Sequence, residues 1–244
     1  MIWHADCFNA FVMKKTFTIL AIGSGLSFSS AQAEIESEFH VGYNSKYIFR
    51  GVDLGDDAYE YGLDFAGSCD CGLDWSAGIW GISPDGLGDD ELDIYAAVSK
   101  DFSNVTISAG FTAYTYDTAA DDAELFLGAS GSFSGLDAGL TIFFGTDGAL
   151  EDQILLEGNL GYSHDLSDTV SANLSLTYGA VLDNGDGGFA TSDGGAYFSA
   201  SFGLDFALSD QMTFSPYVSY VDGADRINGV EEEVIGGAIL AFSF

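Results

Sequence analysis

Proline, basic residues and long apolar runs are what this chain has least of. Only 2 prolines and 6 lysines and arginines stand against 38 aspartates and glutamates, for a formal charge of −32. So large a negative excess repels phosphate backbones and excludes nucleic acid as a partner, while drawing cations toward the surface. Past the N-terminal region no apolar run approaches the roughly 18 residues that a membrane-spanning helix needs. A strand-based barrel is then the one architecture by which the chain could cross a bilayer. Cysteine and histidine number 3 each. No zinc spacing, phosphate-cradling glycine loop or dinucleotide fingerprint occurs. A serine–histidine–carboxylate set would have to use His40 or His164, and neither stands near a nucleophile motif. No catalysis, metal or cofactor is expected.

What is plentiful points to strands. Glycine numbers 32 and aromatics make up 14%, a mixture that suits many short strands and tight turns. The N-terminus is organised differently. From Met13, the basic pair Lys14-Lys15, the apolar stretch Thr16 to Phe28 and Ala31-Gln32-Ala33 form the three parts of a secretory signal. Cleavage is expected after Ala33, with residues 1–12 an extension upstream of the true start, or else a long leading segment. Removing 1–33 takes away one acid and two bases, so the mature chain is more negative still. Residues 34–244 then form one domain, exported through the periplasm. Cys69 and Cys71 are the thiols left in it. Their spacing in an oxidising compartment is compatible with a tight disulfide or with two free thiols.

From Phe39 onward the sequence alternates. Phe39, Val41, Tyr43, Ser45, Tyr47 and Phe49 fall on one face, with His40, Gly42, Asn44, Lys46 and Arg50 on the other. The pattern recurs at Tyr59–Phe65, Leu92–Val98, Val170–Tyr178 and Ala196–Phe206, and predicts about twelve strands near 36–50, 57–67, 73–82, 91–102, 104–116, 123–133, 136–145, 152–164, 169–181, 195–207, 211–221 and 233–244. An even strand number puts both chain ends on the periplasmic side of a closed antiparallel transmembrane barrel. Short turns then fall at 68–72, 101–104, 133–136, 164–169 and 208–211. Longer outer loops fall at 51–57, 83–90, 117–122, 146–151, 182–194 and 222–232. Alternation also fits a soluble β-sandwich or solenoid, but a strand ending in Leu240, Phe242 and Phe244 resembles the terminal signal read by barrel-assembly machinery. Aromatics near strand ends, among them Tyr47, Phe49, Tyr59, Tyr61, Tyr114, Tyr116, Phe143, Phe144, Tyr178, Tyr220 and Phe242, suit interfacial girdles against outer-membrane lipids.

The run Tyr43-Asn44-Ser45-Lys46-Tyr47-Ile48-Phe49-Arg50-Gly51-Val52 resembles the opening strand of the TorF-type porins, also known as Gcw_chp proteins. The likeness continues through Gly62–Phe65, Ala77–Gly81, Glu91–Ala96 and Leu156–Leu160 and spans most of the mature chain. Asp53-Leu54 departs from the polar pair usual after the first motif. The resemblance implies an outer-membrane barrel with a channel role and names no solute.

Lys46 and Arg50 are the informative charges, since both fall on the polar face of the first strand. Glu60, Asp64, Asp93 and Glu157 lie on polar faces of other strands and are their expected partners. The set reads either as a pore constriction with crossed charges or as an ion-pair network plugging a closed barrel. Asp53, Asp56, Asp57, Asp85, Asp89, Asp90, Asp121, Asp122, Asp147, Asp183, Asp186, Asp222, Glu231, Glu232 and Glu233 gather in the outer loops and would concentrate cations there. Asp183-Asn184-Gly185-Asp186-Gly187-Gly188 is partly like a calcium loop without its distal glutamate, or is a glycine-rich turn. The expected function is passive diffusion of small hydrophilic solutes or cations through a porin-like channel. The alternative is a non-conducting barrel with a structural, adhesive or ion-binding role, and homo-oligomerisation is open in either case.

Overall fold

A computed structural model describes residues 35–85, 89–185, 195–223 and 229–244. The expected signal peptide, its Met13 start and its cleavage after Ala33 lie outside the described residues, as do Asp186, Gly187 and Gly188 of the calcium-like segment. The rest forms twelve antiparallel strands: β1 (Glu36–Phe49), β2 (Val52–Ser68), β3 (Asp74–Asp85), β4 (Glu91–Phe102), β5 (Val105–Tyr116), β6 (Asp122–Phe133), β7 (Leu136–Asp147), β8 (Ile154–Ser167), β9 (Val170–Asp183), β10 (Ala196–Ser209), β11 (Met212–Asp222) and β12 (Glu233–Ser243). Each pairs with its sequence neighbours, and β12 returns to β1 through Phe39↔Phe242 to Asn44↔Gly237, closing the barrel.

Alternation sets the two faces. Phe39, Val41, Leu125, Leu127, Leu140, Leu174, Leu176 and Val218 stand outward and exposed, while His40, Asn44, Glu60, Asp93, Glu124, Glu157, Thr177, Ser199 and Ser219 are buried inside. A soluble protein would hide the first set. Here it forms the apolar belt that a lipid-facing barrel presents. The turns at the end holding both termini are short: Ser103-Asn104, Ser134-Gly135, Asp168-Thr169 and Asp210-Gln211 each link two strands. Between β2 and β3 a five-residue turn carries a Cys69–Cys71 disulfide with Cα atoms 5.1 Å apart.

The opposite end differs from expectation. The loop expected at 51–57 is strand, because β1 and β2 meet in a two-residue turn with Arg50 at φ 50° and Gly51 at φ 80°. Positive φ at both centres is the type I′ geometry that matches strand twist. The loop expected at 146–151 starts two residues later, since Thr146 and Asp147 still belong to β7, and it opens with a 3₁₀ turn, Gly148–Leu150, before β8 begins at Ile154. His164, expected in a turn, lies within β8 with its ring stacked on Tyr162 at 6.4 Å.

Opposite the step from Tyr47 to Ile48, β2 carries one extra residue, Leu54, and the register of the hairpin shifts. One extra residue in a period-two strand moves later side chains to the other side and bends the strand. Tyr47 and Phe49 do not keep the outward parity of Tyr43, contrary to their expected place in a girdle, and are buried inside the barrel. Tyr114 and Phe143 are also interior, while Tyr59, Tyr61, Phe144 and Tyr178 stand on the outer surface.

Leu127 is 51% exposed midway along β6. Leu127→Arg is expected to destabilise the membrane-inserted barrel by about 2–4 kcal/mol in urea titrations in lipid vesicles, as a base does at the bilayer midplane. An unchanged midpoint would mean that this face does not meet lipid.

Candidate functional site

The bent tip of the β1–β2 hairpin lies across the lumen. Tyr47 packs on Trp80 of β3 with ring centroids 6.0 Å apart, and its hydroxyl donates to Glu91 of β4. Phe49 packs on Tyr114 of β5 at 5.8 Å. Gly51 comes so close to the opposite side that an added Cβ would lie 2.8 Å from Cβ of Tyr197 on β10. The Gly51 carbonyl accepts from the Val230 N–H at 2.9 Å, and Val52 bridges to Gly229. Leu150, carried inward by the 3₁₀ turn, joins the same cluster with Ile48, Ile82, Val221 and Ile235. Six hairpin residues thus reach nearly every part of the ring and fill the barrel at its outer end.

Arg50 is the charged part of this plug. Its guanidinium donates through Nη2 to Oε1 of Glu124 at 2.8 Å and through Nη1 to Oε2 at 2.9 Å. Glu124 belongs to β6, five strands around the ring from β1, so the pair spans the lumen. The guanidinium carbon also sits 4.7 Å from the ring centre of Phe49 and 4.4 Å from that of Phe143. The Tyr114 hydroxyl donates to Glu124 Oε1 at 2.6 Å. Arg50 is 6% exposed and Glu124 3%. A bidentate fork held between aromatic faces and shielded from water is among the stronger arrangements open to a guanidinium.

The expected partnerships are corrected accordingly. Arg50 pairs with Glu124, which was not anticipated, and Lys46 pairs at the outer rim with Asp53 at 2.8 Å, Glu233 at 3.3 Å and Asp56 at 3.5 Å. Glu60 accepts from Asn44 at 2.6 Å, and Asn44 from Tyr217. Asp64 accepts from Tyr95 at 2.5 Å and lies 3.9 Å from His40. Asp93, fully buried, lies near Glu91 on the same strand. Glu157 accepts from Tyr197 and from Asn159 at 3.2 Å. Glu157 lies close enough to feel the Arg50 charge, but the direct contact belongs to Glu124. Glu124 had one visible signal, since it shares with Asp122 the inward parity of an otherwise apolar and small-residue strand. Its partner could not be read because the hairpin crosses the lumen instead of following the wall.

Toward the terminus-bearing end the inward side chains become smaller, and carboxylates recur there, each braced by a neighbouring strand. Ser68 donates to Asp74 at 2.5 Å, Thr106 to Asp101 at 2.5 Å and Ser132 to Asp137. Asp205 receives Asn173 at 2.9 Å and Ser215 at 2.6 Å, and Glu38 receives Ser243 at 3.2 Å. Among the described residues no lysine or arginine faces this half, because Lys100 stands outside with its ammonium 5.9 Å from the Phe102 ring.

At the outer rim several acids tie connections together. Asp122 accepts from the Ala149 N–H at 2.5 Å, and Asp89 accepts from the Ala119 N–H at 2.8 Å and from the Thr118 hydroxyl and N–H at 2.8 and 2.9 Å. The backbone bond from Ala119, then those from Thr118, hold the Asp89 carboxyl below its ordinary pKa. A depressed folded value means that this clamp is complete above the ordinary aspartate range and is lost as pH falls through the lowered value. The amide resonances of Thr118 and Ala119 are expected to stay fixed from neutral pH into that range and to move only below it. Movement at higher pH would remove the clamp.

Glu124→Ala strips one partner from a buried pair and is expected to cost about 3–5 kcal/mol in denaturant titrations. Replacing both partners by apolar residues, as in R50M/E124L, is expected to cost less than either single loss. Equal, additive losses would show that the two side chains do not act as a pair.

No protein-family model and no curated protein matches the sequence. Among solved structures, the barrel resembles the NanC porin at a TM-score of 0.54 with 12% identity, covering 85% of this chain and 98% of that one. It resembles the KdgM porin, solved with disordered oligogalacturonate, at 0.50 with 12% identity, covering 86% and 99%. An outer-membrane channel from Pseudomonas putida F1 matches at 0.51 with 10% identity, covering 91% and 98%. At these identities the likeness is one of fold. The chain has the porin-type, twelve-stranded outer-membrane barrel fold, and its likeness to the TorF-type proteins rests on the motifs quoted above.

Proposed function

We propose that the protein is a porin-like channel that passes small hydrophilic cations by diffusion across an outer membrane, with size and charge as the filter. The observation that carries this reading is the sign of the lumen. Carboxylates line it at Glu60, Asp64, Asp93 and Glu157 and, toward the terminus-bearing end, at Glu38, Asp74, Asp101, Asp137 and Asp205. The inward bases among the described residues, Lys46 and Arg50, are each held by carboxylates of their own. A low-dielectric wall with one uncompensated sign raises the local concentration of cations and disfavours anions. Lys46, Arg50, Glu60, Asp64, Asp93 and Glu157 are the proposed pore-lining set, to which Glu124 is added. Conduction requires the hairpin tip to shift, since the side chains at its level are packed almost without exposure, Trp80 at 1% and Tyr114 at 2%. That same packing favours the second reading, a non-conducting barrel with a structural, adhesive or ion-binding role.

Single-channel recording of the refolded barrel in a planar bilayer under a salt gradient separates the two. Discrete steps with a cation-selective reversal potential are expected. Arg50→Ala is expected to lengthen the open state and to shift selectivity further toward cations. A folded, heat-modifiable barrel that conducts neither as wild type nor as R50A would sink the channel reading.

A further inference from the structure

The geometry points to a second role for the wall opposite the hairpin: we propose that Glu124, Phe143 and Tyr114 form a recognition site for guanidinium-bearing solutes, occupied in this structure by the chain's own Arg50. The proposal deepens the channel reading by naming a solute class. Three observations on the wall carry it. Both Glu124 oxygens are used by the two terminal nitrogens of one planar fork, at 2.8 and 2.9 Å, a match that an ammonium cannot reproduce. Phe143 offers its ring face at 4.4 Å, and Tyr114 fixes the carboxylate from the side at 2.6 Å. The site is shielded from water, with Glu124 3% and Phe143 6% exposed. All three residues belong to β5, β6 and β7, which pair with one another in the wall and not with the hairpin.

Arg50 is an imperfect occupant. It is buried, yet its Nε has no hydrogen-bond partner among the described residues. It also sits at φ 50°, in the left-handed region that a non-glycine residue adopts at a cost. A free solute carrying the same fork needs neither compromise. Site and plug are then linked. A guanidinium that takes Glu124 displaces Arg50 and releases the hairpin, and a seated hairpin excludes the solute, so loading the site and opening the path are one equilibrium. The carboxylates of the lumen concentrate cations of every kind; the fork and the aromatic face choose among them.

The test is chemical rescue of the refolded, full barrel in detergent, read by thermal unfolding and so independent of conductance. Arg50→Ala empties the site while leaving its wall intact. Millimolar methylguanidinium chloride is expected to raise the Tm of R50A saturably, by about 3 °C. No such rise is expected in the wild type, in R50A/E124Q, or with tetramethylammonium chloride at the same ionic strength. Where R50A refolds poorly, refolding yield with each salt is the same comparison. An equal effect of both salts, an effect that survives in R50A/E124Q, or no effect on either stability or yield would overturn the site. Rescue in a barrel that never conducts would keep the site and discard the channel; conduction without rescue would do the reverse.

Discussion

Everything in this molecule follows from the need to pair backbone amides and carbonyls where no water can serve them. A strand set in hydrocarbon must give every N–H and C=O a partner, and a sheet does so only by closing on itself. The pairing of β12 with β1 is that closure. Once it is made, the alternation of side chains has two fixed destinations, lipid and lumen. The inverted character of the protein, with leucine and phenylalanine outside and aspartate, glutamate and serine inside, is a consequence.

Closure also creates an interior that has to be filled or left wet, and the two ends of this barrel answer differently. Near the terminus-bearing end, small residues and braced carboxylates line the wall. At the outer end the β1–β2 hairpin bends inward, and Tyr47, Phe49 and Arg50 pack against aromatics from strands all around the ring. Burying a guanidinium there is tolerable because Glu124 answers both of its terminal nitrogens and two rings cover its faces. Charge is thus used in two ways within one lumen: as a buried pair that holds the plug and as an excess of carboxylates along the wall.

Much of the fold was legible in the sequence because a half-lipid, half-lumen strand must alternate, and the two-residue turn pairs such as Ser134-Gly135 punctuate that alternation at close intervals. Less legible was the place where alternation fails. Tyr47 and Phe49 share the outward parity of Tyr43 in the sequence, yet both are buried inside, and nothing in the local composition announces the bulge that β2 carries opposite them. Arg50 was legible as an inward charge that must be paired. Its partner was not, since cross-lumen contacts depend on where a hairpin tip lands and not on strand parity. Glu60 and Asp64 are near in sequence and inward-facing, yet hydroxyls and an amide claim them first.

The seam between β1 and β12 also sets a kinetic condition. Ser37 donates to the carbonyl of Phe244 across 207 positions of sequence, and the Phe244 N–H returns a bond to the Ser37 carbonyl. Contacts of such separation come late, because the entropy of bringing the two edges together is lost before either edge is rewarded. Until that moment β1 and β12 are open edges, able to zip onto another copy as readily as onto each other. The barrel therefore has no half-built form that is safe from aggregation, and the speed with which its first strand finds its last decides how much of the chain reaches the membrane folded.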